Sequence, residues 1–419
     1  MYKYLIAFVL VTPLIGIWLV EGGEYAGSVG INGYANGATL AFALYAIGVT
    51  LIAIACSGRK HRPAEVHVPV EQANAMFRRF STNLLIFETA WLLVFLFGFG
   101  AINVWLGGVS KEAFRTNVGV LGYIPNSMSK FIVPALVAYA ALLYMRTART
   151  GWMTLRLTAL CVIAFINGGS WGFKLTAISA VMPALILLNW RVRPAALVAL
   201  GLFFIASLVA FFLLFDANFE EGAELQRFLL RRLTVLQGDS AWYIWDLYRT
   251  GQPIPSYWPT LLAAIGDKML TVLGVSRADS YEWMLYHYDW MMTYLTGSTL
   301  EAIEDGYSIT ATPFAEGLVA GGIPGLVLFT VIAGVLTGRM YSFLDRALRR
   351  GRTVAAAMGA TYFFYFLFPW LNAGAIVQLF HVSLLISFSV TLVLLFCLRR
   401  VRLSLVPVRP PVAQVPVPG

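Results

Sequence analysis

Basic side chains gather near the start of the longest polar segment of the chain, residues 216–316. Arg227 and Arg231 are four residues apart, so a helix would place both guanidinium groups on one face, with Arg232 beside them. Each guanidinium can donate two parallel hydrogen bonds to phosphate oxygens, so this patch suits a pyrophosphate group. The alternative is a solvated helix face on which Glu224 pairs with Arg227.

Two further cations lie in short polar connections between apolar segments. Arg115 lies in the connection 107–127, and Lys174 follows the glycine-rich turn around Gly168. Lys174 has two interpretations, a phosphate ligand or a lysine whose stem lies along lipid while its ammonium group reaches water.

Acidic groups and a histidine that could accept a proton lie at the edges of apolar segments. Glu316 precedes the small-residue stretch Gly321-Gly-Ile-Pro-Gly325, where a carboxylate is also favoured by the dipole of a helix N-terminus. His381 lies about a turn and a half into the last apolar segment, at its outer end. Glu88 lies inside an apolar segment, and we expect it toward the inner end, tying helices together or facing a cavity. Asp239 follows Gly238, and we expect it to cap a helix that begins near Trp242.

The composition requires a membrane. Of 419 residues, 59% are hydrophobic and only 12% are charged, which excludes a water-soluble enzyme. Segments of about 17–25 apolar residues can cross the hydrocarbon core as helices. Ten segments qualify, which predicts an all-α polytopic integral membrane protein: 4–20, 37–57, 82–106, 128–145, 153–168, 175–190, 195–215, 317–338, 354–370 and 376–397. The three cysteines have no paired spacing, so they fit neither a disulfide framework nor a zinc site. No carboxylate cluster has metal-ligand spacing, and we expect no metal and no cofactor.

The charge distribution predicts the orientation. With the N-terminus inside, 20 of the 30 Lys and Arg residues fall in inner segments, as expected of cytoplasmic connections. Topology and anionic lipid explain the net charge of +9, so nucleic acid is not an expected partner. The expected parts are seven spans in 1–215, a large, mostly helical periplasmic loop in 216–316, three spans in 317–400, and a disordered, Pro-rich cytoplasmic tail in 401–419. Any chemistry in the large loop then faces away from the cytoplasm, so a substrate must bring its own activated leaving group.

The order of these features resembles the O-antigen polymerase (Wzy-type) and oligosaccharide repeat-unit polymerase family of bacterial inner membranes, over roughly 80–400. Arg115 matches the family's basic residue in an early outer loop, and Arg231 with Arg232 matches the Arg-bearing segment of its large loop. Glu316, in Ala315-Glu-Gly-Leu-Val-Ala-Gly-Gly-Ile-Pro-Gly325, matches the acidic residue before the next span. One departure is Ser170-Trp-Gly172, where many members have Ser-Arg-Gly.

The resemblance implies a metal-independent, inverting membrane glycosyltransferase. Its donor would be a glycan on polyprenyl (undecaprenyl) diphosphate, polymerised into O-antigen, capsule or exopolysaccharide at the periplasmic face. Arg115, Arg227, Arg231, Arg232 and Lys174 would then bind diphosphate. Glu316 or His381 would accept the proton of the acceptor hydroxyl, with Glu316 ranked slightly ahead. A chain-length regulator and a flippase are possible partners. The alternatives are an O-antigen ligase of similar fold, a glycolipid or solute transporter, and a non-catalytic scaffold.

Overall fold

The structure is a computed structural model that describes residues 2–58, 69–109, 117–171, 174–190, 234–252 and 311–404, with positions 114, 231, 254, 274, 293, 295–297 and 309. The predicted span 195–215, most of the predicted loop 216–316 and the tail after residue 404 lie outside the described residues. The helices are α1 Tyr2–Glu21, α2 Ala38–Cys56, α3 Val70–Gly98, α4 Ile102–Trp105, α5 Tyr123–Tyr144, α6 Gly151–Gly169, α7 Lys174–Leu188, α8 Val235–Arg249, α9 Pro313–Arg349, α10 Thr353–Ala373 and α11 Val382–Ser404.

Eight apolar helices in the described part of the chain are long enough to cross a membrane, which confirms the all-α polytopic architecture. They are α1, α2, α3, α5, α6, α9, α10 and the segment Ile376–Cys397, which joins a 3-10 turn (Ile376–Phe380) to α11. The apolar part of α7, Thr176–Leu188, is shorter. Helices α3, α5 and α10 each contain one π-helical turn, at Val94–Gly98, Met128–Ile132 and Phe363–Leu367.

The second helix shows how these spans meet lipid. Leu40, Leu44, Leu51 and Ile54 on α2 are each more than 60% exposed and lie along one face. The opposite face buries Phe42 and its neighbours one turn apart against the other helices. A helix that exposes its most apolar stripe is stable only where the surroundings are apolar as well, as in a bilayer.

Arginine-bearing helix ends meet on one side of the bundle, which we call the arginine face. Arg146, just after α5, donates to the carbonyl of Gly351 between α9 and α10 (2.9 Å), and Arg156 of α6 donates to the carbonyl of Arg78 in α3 (3.1 Å). Lys3 lies over the ring of Tyr341, which places the start of α1 on this face too. Helix α3 therefore begins at Val70, twelve residues before the predicted span, because its first turns run along the arginine face.

The opposite side carries a small β-hairpin, and we call it the hairpin face. Its strands β1 Tyr25–Ala26 and β2 Ile31–Asn32 are antiparallel, with Tyr25 opposite Asn32. Glu21, the last residue of α1, accepts hydrogen bonds from the main-chain NH groups of residues 36–39, the start of α2. The carboxylate of Glu21 thus accepts hydrogen bonds from amide groups that have no partner within α2, and it joins α1 to α2.

Candidate functional site

Helix α9 is broken near its start on the hairpin face. The main chain leaves helical geometry at Gly321 and Gly322, and the latter has φ 60° and ψ −143°, a conformation that only glycine adopts readily. A Cβ atom added to Gly317 would lie 2.9 Å from the carbonyl oxygen of Gly325. In a continuous helix these residues would be about 12 Å apart. The segment 313–320 therefore folds back onto the rest of α9, and regular helix resumes only after Gly322, five residues beyond the predicted start of the span at 317.

Glu316 lies in this folded-back segment and is fully buried. One carboxylate oxygen accepts a hydrogen bond from the indole of Trp370 at 2.8 Å, and the other accepts one from the main-chain NH of Ile376 at 2.7 Å. Between these partners the chain turns through Gly374 and Ala375, and Ala375 has the unfavourable φ of 63°. The carboxylate therefore fixes a strained connection between α10 and the last span.

His381 follows the same connection. The 3-10 turn Ile376–Phe380 separates it from the NH group that binds Glu316, and at about 2 Å per residue the two main-chain positions are about 10 Å apart. The side chain is half-buried, and the carbonyl of His381 accepts the first hydrogen bond of α11, from Leu385 at 2.9 Å. Glu316 and His381 thus lie at opposite ends of one short turn on the hairpin face.

Small polar side chains on the helix that follows His381 contact α5 inside the bundle. Ser387, less than two turns into α11, shares a 2.8 Å hydrogen bond with Ser127 of α5 and donates to the Tyr123 hydroxyl at 3.3 Å. Two residues further along α5, Ser129 accepts a hydrogen bond from the Trp171 indole at 3.1 Å. Trp171, where many members of the resembling family carry arginine, therefore packs inside the protein.

Helix α8 begins earlier than the sequence predicts. Its N-cap is Thr234, so Asp239 lies inside the helix and does not cap it. Asp239 is instead fully buried and accepts a hydrogen bond at 2.9 Å from the main-chain NH of Ser28 in the hairpin. The cause is the packing of Gly238 on α1: a Cβ atom there would lie 2.4 Å from the carbonyl oxygen of Pro13. Glycine lets the two helices touch, and this contact extends α8 beyond the predicted cap.

The middle of α8 is hydrogen-bonded to the segment that leads into α2. Asp246 accepts hydrogen bonds from the hydroxyl of Tyr34 and, at 3.1 Å, from the amide of Asn36. The indoles of Trp242 and Trp245 donate to the carbonyls of the same two residues, at 3.2 and 3.1 Å. The hydrogen bond to Asp246, helped by burial, raises the pKa of the Tyr34 phenol above its usual value. These contacts hold α8 on the hairpin face.

Arg231 lies at the hairpin and away from Glu316. Its guanidinium donates to the carbonyl of Tyr25 at 2.7 Å and stacks on the same ring at 5.1 Å, while the side chain remains exposed. Trp245, near the other end of α8, is the residue that contacts Phe314 of the folded-back segment (6.1 Å between ring centroids). Between Val235 and Trp245 the helix rises about 15 Å. The structure therefore brings Arg231 and Glu316 to the same face without joining them in one contact.

The other predicted diphosphate ligands are not tested. Arg115, Arg227, Arg232 and the side chain of Lys174, the first residue of α7, lie outside the described part of the structure. Their assignment to a diphosphate stays a prediction.

Glu88 lies elsewhere than expected. The amide of Asn167 donates to the carbonyl of Glu88 at 3.3 Å, and Asn167 is only two residues from the end of α6 on the hairpin face. In the orientation that the sequence predicts, the arginine face is the inner one, and Glu88 lies nearer the opposite end of α3 than expected. The contact with Asn167 agrees with the expectation that Glu88 ties helices together.

Sequence reasoning missed three side chains of the hairpin face: Glu21, Asp246 and Trp370. A signal existed for Glu21, since an acid at the end of one span and a Gly-rich connection precede the next helix, whose first amides need acceptors. For Asp246 and Trp370 no local signal exists, because their partners are more than fifty residues away in the chain.

Comparison with known proteins gives no match: no family model, no curated protein and no solved structure matches this chain. The family resemblance of the sequence is therefore a prediction that rests on the order of its motifs.

Proposed function

We propose that this protein is a membrane glycosyltransferase that polymerises oligosaccharide repeat units linked to polyprenyl diphosphate into a surface polysaccharide. The reaction would take place at the periplasmic face of the bacterial inner membrane. The observation that carries the proposal is the buried carboxylate of Glu316, held by Trp370 and Ile376 at a broken helix. This broken helix carries the acidic residue that the resemblance matches to the family, and a buried carboxylate beside a strained connection is typical of functional sites.

The contacts suggest how the roles are divided. Glu316 uses both oxygens to hold the connection between α10 and the last span, so we assign it a positioning role. His381 is half-buried, lies about 10 Å along the same turn, and carries an imidazole, the side chain that most often accepts protons in catalysis. This division reverses the ranking that the sequence gave to the two residues.

In the proposed reaction, an acceptor sugar hydroxyl attacks the anomeric carbon of the donor sugar. The bond between that carbon and the diphosphate oxygen breaks, and polyprenyl diphosphate leaves with both bonding electrons. The hydroxyl proton goes to His381, and the configuration at the anomeric carbon inverts. Arg115, Arg227, Arg231, Arg232 and Lys174 would stabilise the charge that grows on the diphosphate. Arg231 keeps donors for this purpose, because a guanidinium has five N–H groups and the hairpin uses one of its two terminal nitrogens.

The experiment compares two exposed arginines next to the same helix. Arg231 precedes α8 and Arg249 ends it, and only the first belongs to the predicted diphosphate patch. In a strain that lacks the chromosomal gene, plasmids carrying R231A, R249A or wild type are compared for polymer length on the surface at equal membrane levels. We expect R231A to leave short glycans and R249A to restore full-length polymer. Full-length polymer from R231A would remove this residue from the mechanism.

The same strain separates the rival functions. A deletion that leaves single repeat units on the surface fits a polymerase, whereas a ligase deletion would leave no glycan on the acceptor lipid. A transporter would require a sealed vesicle, so chain growth by purified protein in detergent would exclude that function.

A further inference from the structure

A pair of buried polar side chains lies between α3 and α6, apart from the contacts of Glu316. Glu88 is 0% exposed and Asn167 is 1% exposed. Neither oxygen of the Glu88 carboxyl, nor the amide oxygen of Asn167, accepts a hydrogen bond from any residue that the structure describes. The amide nitrogen of Asn167 lies 3.3 Å from the carbonyl oxygen of Glu88, which places the two residues side by side.

Burying three acceptor oxygens without hydrogen-bond donors lowers the free energy of unfolding. A polar group buried without a hydrogen bond costs about 1–3 kcal/mol, and an ionised carboxylate in a membrane interior costs more. A proton on Glu88 removes the buried charge and also supplies a hydrogen-bond donor, because the neutral acid carries an O–H group. The oxygen of Asn167 is the neighbouring acceptor to which that donor can turn.

Within the described ranges, few other titratable groups face this position. From α6, Cys161 lies close enough to interact electrostatically with Glu88. From α5, Tyr139 packs on Phe80 and Tyr144 packs on Phe77, at least two turns nearer the arginine face. No side chain in the described ranges offers a positive charge to the carboxyl oxygens.

We propose that Glu88 and Asn167 form a proton-binding site within the membrane, in the half of the bundle nearer the hairpin face. Glu88 carries the proton, and Asn167 accepts the hydrogen bond from the acid. The site is separate from the proposed glycosyl transfer, since its two residues lie on α3 and α6, whereas Glu316 lies on α9 and His381 directly precedes α11.

A protonated carboxyl group in a membrane reacts with a hydrophobic carbodiimide. The acid gives its proton to a carbodiimide nitrogen, and the carboxylate oxygen adds to the central carbon. The resulting O-acylisourea rearranges to a stable N-acylurea that retains all atoms of the reagent. The purified protein in detergent is treated with dicyclohexylcarbodiimide and its peptides are analysed by mass spectrometry. A Cys161→Ala background removes the one nearby thiol.

The chain supplies two internal controls. Glu71 lies in the first turn of the same helix and is exposed, so it faces solvent and not the interior of the bundle. Glu316 is as buried as Glu88, but two N–H donors stabilise its charge. We expect the adduct on Glu88, with less of it in alkaline buffer, and none on Glu71 or Glu316. Suppression of the Glu88 adduct by sodium chloride but not by choline chloride would overturn the proton assignment in favour of a sodium ion.

Stability provides a second measurement that does not depend on access of the reagent. Glu88→Gln keeps the shape of the neutral acid and gives Asn167 a donor, whereas Glu88→Ala leaves a cavity and an unpaired amide oxygen. We expect the Gln variant to unfold at or above the midpoint of the wild type and the Ala variant to unfold below it. A Gln variant as unstable as the Ala variant would overturn the proposal.

Discussion

The hydrogen bond from Trp370 to Glu316 gives the sharpest prediction, because the chain offers a matched control. Trp370 and Trp242 are both fully buried, and each indole N–H makes one hydrogen bond. Trp370 donates to a carboxylate at 2.8 Å, and Trp242 donates to the carbonyl of Tyr34 at 3.2 Å. Substitution by Phe removes the donor in both places and takes away a similar volume.

The two substitutions should differ in cost. A hydrogen bond to a charged group contributes about 1.5–3 kcal/mol and one between neutral groups about 0.5–1.5 kcal/mol. We therefore expect Trp370→Phe to lower the free energy of unfolding by about 1 kcal/mol more than Trp242→Phe, about a fivefold difference in the unfolding equilibrium.

The assay is unfolding in mixed micelles, with the denaturing detergent titrated and the free energy extrapolated to its absence. A second comparison uses Glu316→Gln, in which the charge is absent. In that background, the extra cost of Trp370→Phe should shrink to that of the neutral hydrogen bond. Two outcomes would show that the indole does not stabilise the Glu316 carboxylate. One is an equal loss of unfolding free energy in the two Phe variants, and the other is a loss from Trp370→Phe that does not shrink in the Glu316→Gln background.

Three further predictions concern the hairpin face. Gly238→Ala forces a Cβ atom against the main chain of α1 and should destabilise the protein by about 1–3 kcal/mol, while Gly151→Ala, which meets nothing within 4 Å, should stay within about 0.5 kcal/mol. Glu21→Gln removes a charge that caps α2 and should cost about 0.5–2 kcal/mol, and a cost below that of Gly151→Ala would refute the capping role. Because the folded state raises the pKa of Tyr34, its hydrogen bond to Asp246 stabilises the protein fully below about pH 10 and is lost above. Unfolding curves of wild type and Tyr34→Phe should therefore converge in strongly alkaline buffer, and a constant gap would contradict the assignment.

The spans were predictable because apolar length is a local property. Residues 37–57 were predicted to form a span, and the structure has Ala38–Cys56. The starts of α3 and α9 were not predictable in this way. The first follows contacts between arginines and distant carbonyls, and the second depends on how Gly317 packs against Gly325.

The sequence identified some residues of the candidate site, but it did not reveal the contacts that define their roles. Helix-end position singled out Glu316, but its partners, Trp370 and Ile376, are 54 and 60 residues away and carry no motif. Asp239 was assigned to a cap because Gly238 looked like a turn. The glycine instead permits close packing on α1, a contact that spacing along the chain does not reveal.

The central claim is glycosyl transfer at the hairpin face, and chain growth by the purified protein tests it most directly. The protein in detergent is mixed with a polyprenyl-diphosphate-linked repeat unit, and the products are separated by length. The account predicts that wild type makes multimers, with release of polyprenyl diphosphate, and that His381→Ala, folded to the same extent, makes none. Absence of multimers from folded wild-type protein, or equal multimers from His381→Ala, would contradict it.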